Sequence, residues 1–177
     1  MSVSRFRNPL LVRAPRHGPP VMVAPSTAAG APRQRLRARP GDRAAPRRAL
    51  DVYVVEDNAI VLESLIAALE ELAPVHVVGT AADESVAVEW LRAGGERCDM
   101  VIIDIFLRTG SGLGVIAAAR RERPGAVLVV LSNYATDEMQ ARCLASGADR
   151  VFDKSRDIEQ LVAFCIALSS RETGRSH

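Results

Sequence analysis

Apolar residues fall into short runs and into three- and four-residue steps along this chain, but only from residue 51 onward. Val52–Val55 is short and β-branched and predicts a buried strand. Leu62, Leu65, Ile66, Leu69 and Leu72 then recur at helical spacing, with Asn58 placed to cap that helix and Pro74 to stop it. Val75–Gly79 predicts a second strand. Asp83 caps a second helix carrying Val86, Trp90 and Leu91, and Gly94-Gly95 ends it. Met100–Ile103 predicts a third strand. Gly112 to about Arg123 predicts a third helix with Leu113, Ile116 and Ala117 facing inward, broken by Pro124-Gly125. Val127–Leu131 is a continuous apolar run of the kind buried on both faces of a parallel sheet. Thr136 to Ser146 predicts a fourth helix, opened by Asp137 and Glu138, which suit its positive end, and closed by Gly147. Arg150–Phe152 predicts a short fifth strand. Ser155 is placed to cap a last helix with Ile158, Leu161, Val162, Cys165 and Leu168 on one face.

Five strands alternating with five helices require crossover connections, hence an α/β fold with a parallel sheet and helices on both faces. Ligands of such sheets bind beyond the C-terminal strand ends, where the strand order reverses. Those ends carry the chemistry here: Glu56-Asp57 after the first strand, Asp104 after the third, Ser132 after the fourth and Lys154 after the fifth. Like charges brought together repel, and a buried carboxylate needs a cation or hydrogen bonds. The economical reading is a Mg²⁺-binding acidic cluster with Asp57 and Asp104 as ligands and Glu56 as a ligand through water. A carboxylate can attack a phosphoryl group to give an acyl phosphate. That transfer asks mainly for charge neutralisation, which Mg²⁺ and the Lys154 ammonium are suited to supply, with a hydrogen bond from the Ser132 hydroxyl.

Two other motifs point elsewhere. Gly110-Ser111-Gly112 lacks the Gly-x-x-x-x-Gly-Lys-Ser/Thr arrangement of a phosphate loop and reads as a turn in which Ser111 caps the next helix. His76 lies inside the second strand, His17 and His177 lie in the tails, and none has an evident partner for a nucleophilic Ser/His/Asp set.

Charge divides the chain in two. Residues 1–49 hold eleven arginines, one acid (Asp42) and eight of the ten prolines, without apolar periodicity. Such a segment cannot bury enough surface to offset the entropy of ordering, so a disordered arm is expected. A basic arm touching nucleic acid, a solvated tail, an upstream start codon and an organellar targeting peptide all stay open as its explanation. No aromatic interleaving supports nucleic-acid stacking. The three cysteines form no Cys-x-x-Cys pair and read as thiols of a reducing compartment. No apolar stretch reaches the length of a membrane span and no secretory signal is present, which leads to the expectation of a soluble, cytoplasmic protein.

The strand-end residues, taken in order, resemble the receiver domain of two-component response regulators. The matching text is Val54-Val55-Glu56-Asp57-Asn58, Ile102-Ile103-Asp104-Ile105-Phe106-Leu107, Val129-Val130-Leu131-Ser132 and Gly147-Ala148-Asp149-Arg150-Val151-Phe152-Asp153-Lys154-Ser155. The resemblance implies a flavodoxin-like sheet of order 2-1-3-4-5 over residues 50–171, between the arm and a short disordered tail at 172–177. It implies that Asp104 accepts phosphate from a phosphohistidine on a histidine kinase or phosphotransfer protein. Glu56 and Asp57 would hold Mg²⁺ with Asp104 and the Phe106 backbone carbonyl. Lys154 would pair with the phosphoryl group, and Ser132 would swing toward it.

Two departures stand out. The family's switch aromatic, three residues before the Lys, falls on Val151, leaving Phe152 or Tyr134 as substitutes. Ser155 replaces the Pro that often follows the Lys, which excludes a cis X-Pro bond there. Only 23 residues follow Lys154, so a stand-alone receiver, monomeric or weakly dimeric, is expected to act on a downstream protein target. A phosphate carrier or sink in a relay, and a nucleic-acid-associated regulator using the arm, are the alternatives. In the family, the positions of Phe106 and Tyr134 tune water access, and both residues are bulky. Radiolabelled acyl phosphate on this protein is therefore expected to decay over minutes or longer, and a half-life of seconds would contradict that.

Overall fold

The computed structural model describes residues 48–94, 97–133 and 135–172. Residues 1–47 of the expected arm, 173–177 of the expected tail, Gly95 and Tyr134 lie outside the described residues. The elements run β1 Leu50–Val55, α1 Ala59–Leu72, β2 Val75–Ala81, α2 Glu84–Ala93, β3 Met100–Ile103, α3 Gly112–Glu122, β4 Val127–Ser132, α4 Asp137–Ala145, β5 Arg150–Asp153 and α5 Ile158–Glu172. All five strands are parallel in the order β2-β1-β3-β4-β5, the expected flavodoxin-like arrangement. The order reverses at β1, whose successors β2 and β3 flank it on opposite sides. The crevice of such a sheet therefore opens where β1 and β3 end, at Glu56 and Asp104.

Alternation along the strands splits the core into two layers. Tyr53, Val55, Val101, Ile103, Leu128 and Val130 pack under α2, α3 and α4. Val52, Val54, Met100, Ile102, Val129 and Leu131 pack under α1 and α5. Tyr53 stacks on Trp90 with ring centroids 3.8 Å apart and planes at 9°. Gly79 makes this possible, because a Cβ there would press to 3.1 Å from the Tyr53 ring. Here too the β1–β2 register slips, with Val52 opposite Val77 but Tyr53 opposite Gly79.

Local cap chemistry formed as the residue types dictate. Asn58 accepts from the N–H groups of Ile60 and Val61, Asp83 from Val86, Ser111 from Leu113 and Thr136 from Met139. The last helix differs from expectation. The Ser155 hydroxyl is engaged by Asp153, and the Asp157 carbonyl accepts the first helical bond from Leu161, so α5 begins two residues later than a Ser155 cap requires. In α3 the buried face is Val115, Ile116, Ala118 and Ala119, while Leu113 is half-buried and Ala117 exposed. That segment is apolar nearly all round, so spacing alone does not choose a face. Leu72 and Val86, expected on the inner stripes of α1 and α2, are exposed, Leu72 as the last residue of α1 and Val86 at the edge of the face that buries Ala87 and Leu91. His76 Nδ1 lies 3.9 Å from the exposed Glu70 carboxylate, a surface contact without a serine beside it among the described residues. Cys143 and Cys165 are buried and Cys98 half-buried, and burial pushes the Cys98 and Cys165 thiols up to about 11.

The N-terminal edge of the sheet is closed by charge. Asp99 accepts from the Asp51 N–H at 2.9 Å, from Arg48 at 2.9 Å and from Arg97 at 3.1 Å, and Arg48 also reaches Asp51 at 2.8 Å. Burial alone would raise the Asp99 carboxyl, but the Asp51 N–H and the two guanidinium groups outweigh it and hold the group below its ordinary value. A depressed folded value means stability that is present above the unfolded value of about 3.9 and is lost as pH falls through the lower folded one. Asp99→Ala is therefore expected to lower unfolding free energy by about 2 kcal/mol at neutral pH. In denaturation series the deficit should shrink as pH drops below about 4.

Candidate functional site

The opposite edge gathers the strand-end residues. Glu56 directly follows β1 and Asp104 directly follows β3, and the ladder continues to the Asp104 N–H, which donates to the Val55 carbonyl at 2.9 Å. Both carboxylates are therefore carried on paired main chain and are only 3% and 8% exposed. Lys154, the residue after β5, donates through Nζ to Glu56 and, at 2.7 Å, to Asp104 Oδ2. The remaining oxygens are satisfied locally, Glu56 Oε1 by the Asn58 N–H at 3.1 Å and Asp104 Oδ1 by the Phe106 N–H at 3.3 Å. Asp57 has a different partner, its Oδ2 accepting from Arg108 through the backbone N–H at 3.2 Å and Nε at 3.0 Å.

Glu56, Asp57 and Asp104 each offer an oxygen, and the three lie within 4.8 Å of one another. Clustered hard oxygen donors of this kind fit a divalent cation such as Mg²⁺. The three carboxylates line a cleft of about 180 Å³ together with Phe106, Ser132 and Lys154. Ser132 is fully buried, at the end of β4 opposite Asp153 of β5. The Phe106 ring is half exposed at the cleft mouth.

The structure thus brings together all six residues singled out from the sequence: Glu56, Asp57, Asp104, Phe106, Ser132 and Lys154. Sequence reasoning missed two others. Arg108 lies 51 positions from the Asp57 it pairs with, and nothing local marks it. Glu84 opens α2, and its Oε2 accepts the Ser111 N–H at 2.7 Å, holding the loop that descends from Asp104.

Residues 52–165 match the family model described as the response regulator receiver domain. The chain belongs to this family. It is 35% identical over 119 residues to protein-glutamate methylesterase/protein-glutamine glutaminase 5 of Anaeromyxobacter dehalogenans, a match covering 66% of this chain and 31% of that one. It is 31% identical over 129 residues to the probable transcriptional regulatory protein TcrX of Mycobacterium tuberculosis, covering 73% and 53%. The chain thus spans between about a third and about half of the length of these curated relatives. Among solved structures, the fold is similar to a response regulator protein from Burkholderia pseudomallei with a phosphorylated aspartic acid, calcium ion and citrate. The TM-score is 0.58 at 24% identity, covering 71% of each chain.

The receiver's aromatic departure can now be located. Val151 packs toward the α2–α4 layer, whereas Phe152 points to the other face of the sheet, where its ring lies 6.1 Å from that of Phe164 on α5. Phe152 therefore cannot stand in on the Val151 side, and Tyr134 is outside the described residues. Gly112 seats the start of α3 directly on the main chain that follows β3. A Cβ there would collide with the Asp104 carbonyl oxygen and lie 2.6 Å from Ile105 Cα, both backbone atoms that cannot give way cheaply. Gly112→Ala is expected to cost about 3 kcal/mol, read as a lowered denaturation midpoint, because the clash falls on main chain.

Proposed function

We propose that this receiver takes a phosphoryl group on Asp104 from the phosphohistidine of a histidine kinase or phosphotransfer protein, with Mg²⁺ bound, and signals through altered protein contacts. The observation that carries the reading is the meeting of Lys154 with Glu56 and Asp104, beside Asp57, in one cleft at the sheet's C-terminal edge. An Asp104 oxygen attacks phosphorus, the new O–P bond forms as the P–N bond to the donor imidazole breaks, and the imidazole leaves with the electron pair. Glu56, Asp57, Asp104 and the Phe106 carbonyl are the proposed holders of Mg²⁺, which when bound supplies charge neutralisation to the phosphoryl oxygens. Lys154 moves from bridging two carboxylates to pairing with the phosphoryl group, and Ser132 donates a hydrogen bond to it. The phosphorylated Asp of the Burkholderia neighbour supports an acceptor role for a fold of this kind.

Every described element is part of the sheet-and-helix fold, so the output proposed for this part of the chain is a change in its own surface at α4, β5 and α5. Ser132 neighbours Asp153 across β4 and β5, which gives movement of its hydroxyl a short route to that surface. No helix among the described residues is long and apolar enough to cross a membrane.

The test uses acetyl phosphate with Mg²⁺ and intact mass. Wild type is expected to gain one phosphoryl group, Asp104→Asn none, and chelation with EDTA is expected to abolish the gain in wild type. Equal labelling of wild type and Asp104→Asn would remove Asp104 as the acceptor.

A further inference from the structure

We propose that Arg108 is a built-in competitor of the divalent cation for Asp57, so that metal entry requires its guanidinium to leave. The inference rests on the reading above, that the three acids hold Mg²⁺, and adds a regulating residue to that site. Lys154 bridges Glu56 and Asp104, and its ion pairs do not include Asp57. Among the described residues, the ion pair of Asp57 is with Arg108 Nε, at 3.0 Å. Two cations therefore pair with the three acids, Lys154 with Glu56 and Asp104, and Arg108 with Asp57. They differ in how firmly they are held. The Lys154 side chain is 9% exposed and bridges two buried carboxylates, whereas the Arg108 side chain is 77% exposed and grips a carboxylate that is itself only 13% exposed. An exposed guanidinium on a partly buried acid is held weakly enough to be displaced, yet close enough to oppose an arriving cation.

The backbone contributes separately. The Arg108 N–H also donates to Asp57 Oδ2, at 3.2 Å, and this bond does not depend on the guanidinium. Replacing the side chain thus removes the competing charge while leaving the carboxylate tied to the loop that follows Asp104.

The experiment is Mg²⁺ titration of the unphosphorylated full chain by calorimetry, for wild type, Arg108→Ala and Arg108→Lys. Arg108→Ala is expected to bind Mg²⁺ roughly two- to fivefold more tightly, the range given by an exposed ion pair. Arg108→Lys, which keeps the charge, should stay near wild type. The gain should fall toward unity at about 1 M salt, where exposed charges are screened. Unchanged or weaker binding in Arg108→Ala, or a gain indifferent to salt, would overturn the inference alone. Absence of Mg²⁺ binding by all three proteins would overturn both the inference and the metal assignment beneath it. Labelling by acetyl phosphate, measured in parallel, tests the acceptor role independently.

Discussion

Three carboxylates stand within 4.8 Å of one another at the mouth of this sheet, two of them almost wholly removed from water. Such a cluster is self-repelling, and taking each charge out of water adds a further cost. Lys154 makes it tolerable by placing one ammonium between Glu56 and Asp104, while backbone N–H groups satisfy an oxygen on each. The compensation is deliberately incomplete in charge, with three negative groups facing one buried cation and one exposed guanidinium. An anionic site short of positive charge is one that a divalent cation can enter.

Every other feature near the cleft follows from the need to hold those groups at fixed separations. Parallel pairing of β1 with β3 sets Glu56 beside Asp104, and pairing of β4 with β5 brings Lys154 up from the far edge. Gly112 lets α3 start against the Asp104 main chain, and Glu84 fastens the same loop from α2. Rigid support for reacting groups matters because small displacements in such sites carry large rate penalties.

The two ends of the sheet treat charge in opposite ways. At the N-terminal edge, Arg48, Arg97, Asp51 and Asp99 are matched in number and mutually paired, a closed arrangement that joins the start of β1 to the turn before β3. At the C-terminal edge the balance is left negative and the groups surround open space. Matched charge at one end and an open acidic cleft at the other fit parallel α/β sheets, whose ligands bind beyond the C-terminal strand ends.

Much of this was legible along the chain. Strand and helix order, the caps at Asn58, Asp83 and Ser111, and the positions of Glu56, Asp57, Asp104, Ser132 and Lys154 at strand ends depend on residue type and local spacing, which sequence records directly. The inner face of α3 was legible only in part, with Ile116 buried and Leu113 packed against the core but Ala117 exposed, because Leu113 to Ala119 is apolar on several sides and the sheet beneath selects among them. The start of α5 was not legible, because the Asp153 side chain took the Ser155 hydroxyl and left Asp157 to begin the helix.

By itself, then, the sequence determined the alternation of elements, the polarity of the sheet and the identity of the acids and the lysine at its edge. Only the tertiary structure decided which charge answers which. Lys154 meets Glu56 across 98 positions and Arg108 meets Asp57 across 51, so each pairing depends on strand order, loop path and side-chain reach together. Coulombic attraction acts through space, and no local pattern along the chain encodes it.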